Sequence, residues 1–185
     1  VVTPLLSSAE QGEEYVMVAI PLALNNSHTL ESTIGIMRAQ DVFELETAFQ
    51  KYQSPAVNLV AGDSNGDIAY SHLTAYPTRS SSSPLAGYMA QYGNSSEYFW
   101  QGFVPSNLKP KVFNPKQGVL FTANHLVVGN WYSIFRGTLV GGGGDTERSR
   151  RLRELLIESN KNIFSPEDVL NIHYDSVNSV KRDFI

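Results

Sequence analysis

The stretch "QGVLFTANHLVVGNWY", residues 117–132, places an amide and an imidazole inside an apolar run. Residues 119–121 and 126–128 are apolar, whereas Asn124 and His125 interrupt them. Burying an amide costs about 1–3 kcal/mol when its hydrogen bonds are not satisfied. Two explanations are therefore open: Asn124 bends the chain, or its amide takes part in chemistry.

A second candidate is Arg148, in the segment "GGGGDTERSRRLRELL". Helical spacing puts Arg148 one turn before Leu152, on the stripe that continues with Leu155 and Leu156, while the other three arginines of this segment point elsewhere. A cation in the first turn opposes the helix dipole. Spacing alone favours an arginine that reaches solvent or pairs with a carboxylate at the core edge, and a functional role is the alternative.

The remaining motifs indicate structure rather than chemistry. "DSNGD" at 63–67 resembles a calcium loop, but its Gly is misplaced and no Glu closes it, so a hairpin is favoured. The glycines at 141–144 lack the Lys-Ser/Thr of a phosphate loop and indicate a linker. The histidines at 28, 72, 125 and 173 lack zinc-binding spacing, and no Gly-x-Ser-x-Gly elbow occurs. We expect no cofactor and no metal.

The elements that must position these residues predict one α+β domain, residues 1–185, with mostly antiparallel strands. We expect strands at 16–24, 59–73 and 119–128, with the second broken by an Asn-Gly type I′ turn at 65–66. Capping patterns place helices from Asp41, Thr146 and Ser165, packed on these strands. Residues 78–99 are typical of a surface loop, and the three prolines of 105–118 predict an extended connection that is neither helix nor strand.

Composition restricts the classes of function. Of 185 residues, 42% are hydrophobic and 17% charged, which is ordinary for a globular protein. The net charge of −4 argues against nucleic-acid binding, and no apolar run is long enough to span a membrane. The absence of cysteine excludes disulfides, zinc thiolates and a thiol nucleophile within the chain. No signal-peptide pattern is present, and the compartment stays undetermined.

Several motifs together resemble the β-chain of the penicillin acylase family of N-terminal-nucleophile hydrolases, from about Tyr15 onward. They lie in "NLVAGDSNGDIAYSHLTAYPTR", "WQGFVPSNLKPKVFNPKQGVLFTANH" and "TERSRRLRELL". The matching residues are Asn58, Asp63, Asn65-Gly66, Pro77, Arg79, Trp100, Gly102, Asn114-Pro115, Gly118 and Ala123-Asn124. The resemblance implies a part of an αββα sandwich covered by helices.

The resemblance also implies roles for the two candidates. Asn124 falls on the asparagine that stabilises the oxyanion, and Arg148 falls on an arginine near the active site. Three departures count: His125 stands where a second Asn is usual, residues 2–4 replace a His-Gly-Pro, and the serine nucleophile belongs upstream of this region. Some members bind calcium through a carboxylate between the two sites, but residues 125–144 contain no Asp or Glu. We therefore expect no calcium site.

Together these points predict an interior segment of an amidase that hydrolyses a β-lactam side-chain amide, an acyl-homoserine lactone or a related N-acyl compound. The alternative is a non-catalytic binding or interaction domain that keeps the fold without a nucleophile. The 185-residue chain alone, which starts at Val1, is expected to hydrolyse no such substrate. Its expected partners are the remainder of a parent chain and the small substrate. Uncovered strand edges also predict a homo-oligomer for the segment alone, which light scattering tests.

Overall fold

The computed structural model describes residues 28–80, 95–129, 132, 145–159, 161 and 163–178. The helices in these ranges are α1 (Thr29–Arg38), α2 (Val42–Phe49), α3 (Glu147–Leu156) and α4 (Pro166–His173). The strands are β1 (Val57–Gly62), β2 (Ile68–Leu73), β3 (Pro77–Thr78), β4 (Gly102–Phe103) and β5 (Lys111–Phe113). All of their pairings are antiparallel, so the predicted α+β class is confirmed.

The predicted hairpin is present, as β1 and β2 pair antiparallel with Asn58 opposite His72. Its turn differs from the predicted type I′. Asp63 organises the loop by accepting hydrogen bonds from the backbone N–H groups of Asn65 (2.9 Å) and Asp67 (3.1 Å). Gly66 has a φ of +91°, whereas Asn65 stays at negative φ. A carboxylate that binds its own backbone therefore shapes a longer loop.

Helix α2 begins as predicted. The Asp41 carboxylate accepts from the N–H groups of Phe43 (2.9 Å) and Glu44 (2.8 Å). Glu44 binds the N–H of Gln40 rather than that of Asp41, so the predicted capping box is incomplete. The helix packs on β2, and Phe49 at its end joins a buried cluster on the sheet with Tyr52 and Leu73.

Helix α1 was not predicted, because Ser, Thr, Ile and Gly in its sequence are weak helix formers. Its packing on α2 compensates for the weak propensity. Gly35 allows the two helices to approach closely, since a Cβ at this position would lie 2.8 Å from the Cβ of Ala48. Tertiary contact, rather than local preference, accounts for this helix.

The strand predicted at 119–128 is wrong, because this segment has no helix or strand. A positive φ of +66° at Gly118 and of +60° at Asn124 is incompatible with a regular strand there. The prediction for 105–118 is also wrong, since it contains a 3₁₀ turn (Ser106–Leu108) and β5, which pairs with β2. The predicted strand 16–24 and the residues 81–94 of the predicted loop lie outside the described residues.

Helices α3 and α4 start at the predicted caps. The Thr146 hydroxyl accepts from the N–H of Ser149 at 3.0 Å. Ser165 and Asp168 form the predicted capping box at α4, with Pro166 in the first turn. Among the described residues, none of the helices has the length and apolar character needed to cross a membrane.

Candidate functional site

The site is built on the turn at residues 123–125. Ala123 is 3% exposed, and Asn124 has a left-handed backbone with a φ of +60°. Asparagine adopts this conformation more readily than most residues that have a side chain. The side chain of Asn124 is exposed, so the expectation of a buried amide is wrong. Of the two explanations considered from the sequence, the structure shows the first, since the residue bends the chain; it also presents its amide at the surface.

The peptide groups of Ala123 are held by side chains instead of a strand ladder. Its carbonyl accepts from the Thr146 hydroxyl at 2.9 Å and lies 3.5 Å from Nη2 of Arg148. Its N–H donates to Nδ1 of His125 at 3.3 Å. Thr146 also caps α3, so one side chain links the start of this helix to the turn 23 residues earlier.

Arg148 binds the candidate amide directly. Its Nη2 donates to Oδ1 of Asn124 at 2.5 Å. A guanidinium has only donors, so the group facing it must be the amide oxygen, which settles the orientation of the amide. The Nδ2–H₂ group then points away from Arg148, and no acceptor binds it in the part of the chain that the structure describes.

Arg148 differs from the neighbouring arginines of α3 in its partner. Arg151 binds Asp175 at 3.0 and 2.8 Å, and Arg153 binds Asp145 with both terminal nitrogens at 2.7 Å. Within the described residues, Arg148 pairs with no carboxylate. It is exposed rather than buried in a stripe, and its charge is therefore directed at Asn124.

The carboxylates beside the site are poor candidates for a base. The Arg153 guanidinium is the main reason why the pKa of Asp145 lies below its usual range. The hydrogen bond from Arg151 likewise lowers the pKa of Asp175. Both groups are ionised at neutral pH and already bound to arginines, so neither is poised near pH 7 to take a proton.

His125 is half-buried, and its ring lies 5.4 Å from that of Phe121. Burial lowers its pKa from the usual 6.5, the nearby Arg153 lowers it further, and Asp145 acts in the opposite direction. The ring accepts a hydrogen bond through Nδ1, which requires the neutral form.

Beyond this turn, α3 and α4 line a cavity of about 560 Å³. Arg148 lines this cavity together with Leu152 and Leu155, on the shared helix face that the spacing predicted. Arg151, which was expected to point elsewhere, lines the cavity too. Apolar side chains of α4, Val169 and Ile172, line the same space. The described residues contain no group of three or more His, Asp or Glu that could hold a metal ion.

Two features of the site were not predicted from the sequence. Thr146 was recognised as a helix cap, but its bond to Ala123 has no sequence signal. The hydrogen bond from the N–H of Ala123 to His125 likewise depends on the turn. Two residues of the family motifs, Arg79 and Trp100, lie apart from this turn and contact each other beside the β3–β4 pair, with the guanidinium 5.8 Å from the ring centre.

Comparison with known proteins concerns the family and the fold of the chain. The family model described as penicillin amidase matches residues 3–185. Penicillin acylase 2 proenzyme from Pseudomonas sp. SE83 is 31% identical over 120 residues, which are 65% of this chain and 14% of that protein. Acyl-homoserine lactone acylase QuiP from Pseudomonas fluorescens Pf0-1 is 27% identical over 148 residues, 80% of this chain and 17% of that protein.

Among solved structures, the thermostable penicillin G acylase from Alcaligenes faecalis superposes with a TM-score of 0.65 at 16% identity. The match covers 92% of this chain and 32% of that one, and at this identity it concerns the fold alone. The chain thus spans about one seventh to one sixth of the two curated relatives. On the match of the family model to nearly its whole length, the chain belongs to the penicillin amidase family.

Proposed function

We propose that the protein hydrolyses the amide of an N-acyl substrate and that Asn124 stabilises the oxyanion of the tetrahedral intermediate. The contact between Arg148 and Oδ1 of Asn124 carries the proposal, because it turns Nδ2 outward at an exposed turn, where none of the described residues accepts its two N–H bonds. Relatives named as acylases of penicillin and of acyl-homoserine lactone favour substrates of the N-acyl class.

The chemistry needs a neutral donor at a fixed position. Resemblance to the family implies that an N-terminal serine hydroxyl attacks the amide carbonyl while its own α-amino group accepts the proton. A carbon–oxygen bond forms, and the carbonyl π electrons move onto oxygen. Collapse of this intermediate expels the protonated amine, and water then hydrolyses the ester. Asn124 donates to the oxygen while it carries charge and does not itself titrate.

Arg148 supports Asn124 in two ways under this proposal. It fixes the amide orientation, so Nδ2 rather than Oδ1 faces the substrate. Its positive charge on Oδ1 also polarises the amide and makes Nδ2–H a stronger donor, as hydrogen bonds in a chain reinforce each other. Thr146 holds the carbonyl of Ala123 and thereby the turn that carries Asn124.

The test uses the full-length protein and a panel of phenylacetyl, glutaryl and acyl-homoserine-lactone substrates. Asn124→Gly is the sharpest variant, because glycine accepts the positive φ without strain and removes only the amide. We expect kcat to fall by ~10²–10³. The kcat of Asn124→Ala should fall as far. This variant should also lose about 1 kcal/mol of stability, because alanine disfavours the left-handed backbone at this position.

Asn114→Gly is the matched control, since Asn114 is also an asparagine at positive φ (+44°), on the sheet side of the molecule. Its kcat should stay within about threefold of the parent protein, a difference below 1 kcal/mol. An unchanged kcat in Asn124→Gly would contradict the role of Asn124. A full-length protein that binds N-acyl compounds without turning them over would instead support a binding domain.

A further inference from the structure

We propose that His125 is a positioning residue for Asn124. Its neutral ring holds the Ala123 peptide in the turn, and protonation of the ring releases that peptide and lowers turnover. This inference rests on the proposed function of Asn124. It assigns a pH-dependent role to a side chain that does not itself touch the substrate.

The geometry shows a residue, Ala123, that is held through both of its flanking peptide groups. The carbonyl of Ala123 is bound by Thr146 and lies near Arg148, and the opposite side, its N–H, is bound only by Nδ1 of His125 among the described residues. Ala123 is 3% exposed, so water is a poor substitute partner for this N–H. The His125 contact thus completes the hydrogen bonding of the residue that precedes Asn124.

Protonation would reverse the contact. Imidazolium carries N–H at both nitrogens, so Nδ1 would present a donor to the donor of Ala123. The charged groups that face the ring are Asp145, just before the cap of α3, and Arg153 on α3, and these two bind each other at 2.7 Å. Arg148 adds a positive charge at the carbonyl of Ala123, in the following peptide group. Nothing in this arrangement offers the imidazolium an unshared carboxylate within the described residues.

The direction of the pKa shift is consistent with this role. Burial and Arg153 lower the pKa of His125, so the ring is neutral at pH 7 and the contact is intact. The contact is lost as the pH falls below 6.5 through the lowered pKa of the folded protein. The proposed effect therefore belongs to the acid side of the pH profile.

The kinetic test compares the full-length protein with His125→Asn and His125→Ala. The Oδ1 atom of asparagine can accept from Ala123 and does not titrate, so His125→Asn should restore most of the kcat that His125→Ala loses. The ratio of kcat between the parent protein and His125→Asn cancels every other titrating group. We expect it to be constant above pH 6.5 and to fall roughly 3–10-fold as the pH drops through the lowered pKa of His125, the effect of one hydrogen bond.

His28→Asn, at an exposed histidine before α1, is the control, and its ratio to the parent protein should be flat. A flat ratio for His125→Asn, while Asn124→Gly remains impaired, overturns the role of His125 and leaves the proposed function standing. An unchanged kcat in Asn124→Gly overturns the proposed function itself.

A second measurement needs no turnover. In full-length protein labelled with ¹⁵N in alanine and histidine, the amide resonance of Ala123 should move with the same midpoint as the His125 ring nitrogens. An Ala123 resonance that is indifferent to the titration of His125 overturns the inference, whatever the activity of the protein.

Discussion

Asn114 and Asn124 share an unusual backbone and differ in what their amides bind. Both have positive φ, +44° and +60°. The amide of Asn114 is used twice within the fold: Oδ1 accepts from the N–H of Ile68 at 2.9 Å, and Nδ2 donates to Asp67 at 2.7 Å. Among the described residues, the amide of Asn124 has one partner, Arg148, which binds Oδ1. A fully used amide indicates structure, and a half-used one at the surface leaves a donor for a ligand.

The surroundings of the two residues differ in the same way. Asn114 follows β5 and its amide binds the start of β2, where backbone groups bind each other in a ladder. Asn124 lies in a segment without a ladder, where side chains from 23 and 25 residues later bind the backbone. We therefore expect substitutions near Asn114 to change stability and those near Asn124 to change turnover.

The largest expected effect comes from replacing each asparagine by aspartate. In Asn124→Asp, an oxygen replaces Nδ2 and repels the oxyanion, so kcat should fall by at least ~10³, more than for loss of the donor alone. In Asn114→Asp, an oxygen faces Asp67, and the free energy of unfolding should fall by about 1 kcal/mol while kcat is retained. Steady-state kinetics and urea unfolding of both variants measure this. Equal effects on kcat would remove the distinction between the two amides.

His72 on β2 extends the comparison of the sheet with the turn at Asn124, because it should make stability sensitive to acid. Burial, with the nearby Lys109, lowers the pKa of His72 to about 4. Because the folded state disfavours its charged form, stability should be full above pH 6.5 and fall as the pH drops toward 4, by up to about 3 kcal/mol. His72→Phe, which keeps a ring against Tyr76, should lose less stability over this range.

Chemical unfolding at pH 7 and pH 4.5 measures the loss, with His28→Phe as the exposed control. Carboxylates with a lowered pKa also lose stability, but at lower pH than His72 does. Asp168 is an example, since its bond to Lys161 helps to bring its pKa to about 2. A His72→Phe variant that loses as much stability as the parent protein between these two pH values would contradict the assignment.

Thr146 caps α3 and also binds the carbonyl of Ala123, so its replacement should lower both stability and kcat, each by a smaller amount. Thr146→Val keeps the shape but loses the cap of α3 and the bond to Ala123. We expect a stability loss of about 1 kcal/mol together with a lower kcat. Thr146→Ser keeps the hydroxyl and should behave as the parent protein. A valine variant with reduced stability and full kcat would show that the cap matters and the Ala123 bond does not.

The smallest expected effect is that of calcium. Residues 125–144 contain no carboxylate, and Asp63 already accepts hydrogen bonds from its own loop and from the N–H of Val42. A ligand that binds only the folded state raises the melting temperature. We expect no rise with millimolar calcium in a thermal melt. A rise that a chelator reverses would indicate a calcium site.

Local interactions explain which parts of the fold were predictable from sequence. The hairpin of β1 and β2 and the caps at Asp41, Thr146 and Ser165 depend on residues within a few positions of each other, so their patterns predict them. Helix α1 and strand β5 depend on distant partners, α2 and β2, and their own sequences indicate neither. The segment 119–128 has the apolar pattern of a strand but lacks the pairing.

The same division holds for the site. By itself, the sequence determined which residues are candidates, since Asn124 and Arg148 stand out by type, spacing and family resemblance. Only the tertiary structure decided that Arg148 binds the oxygen of that amide, that Thr146 and His125 hold the peptide before it, and that Asn124 is exposed. The His125 contact spans only two residues and depends on the left-handed turn at Asn124. For Thr146 and Arg148 the physical reason is distance along the chain: hydrogen bonds across 23–25 residues follow from the packing of α3 against the turn, which no local pattern encodes.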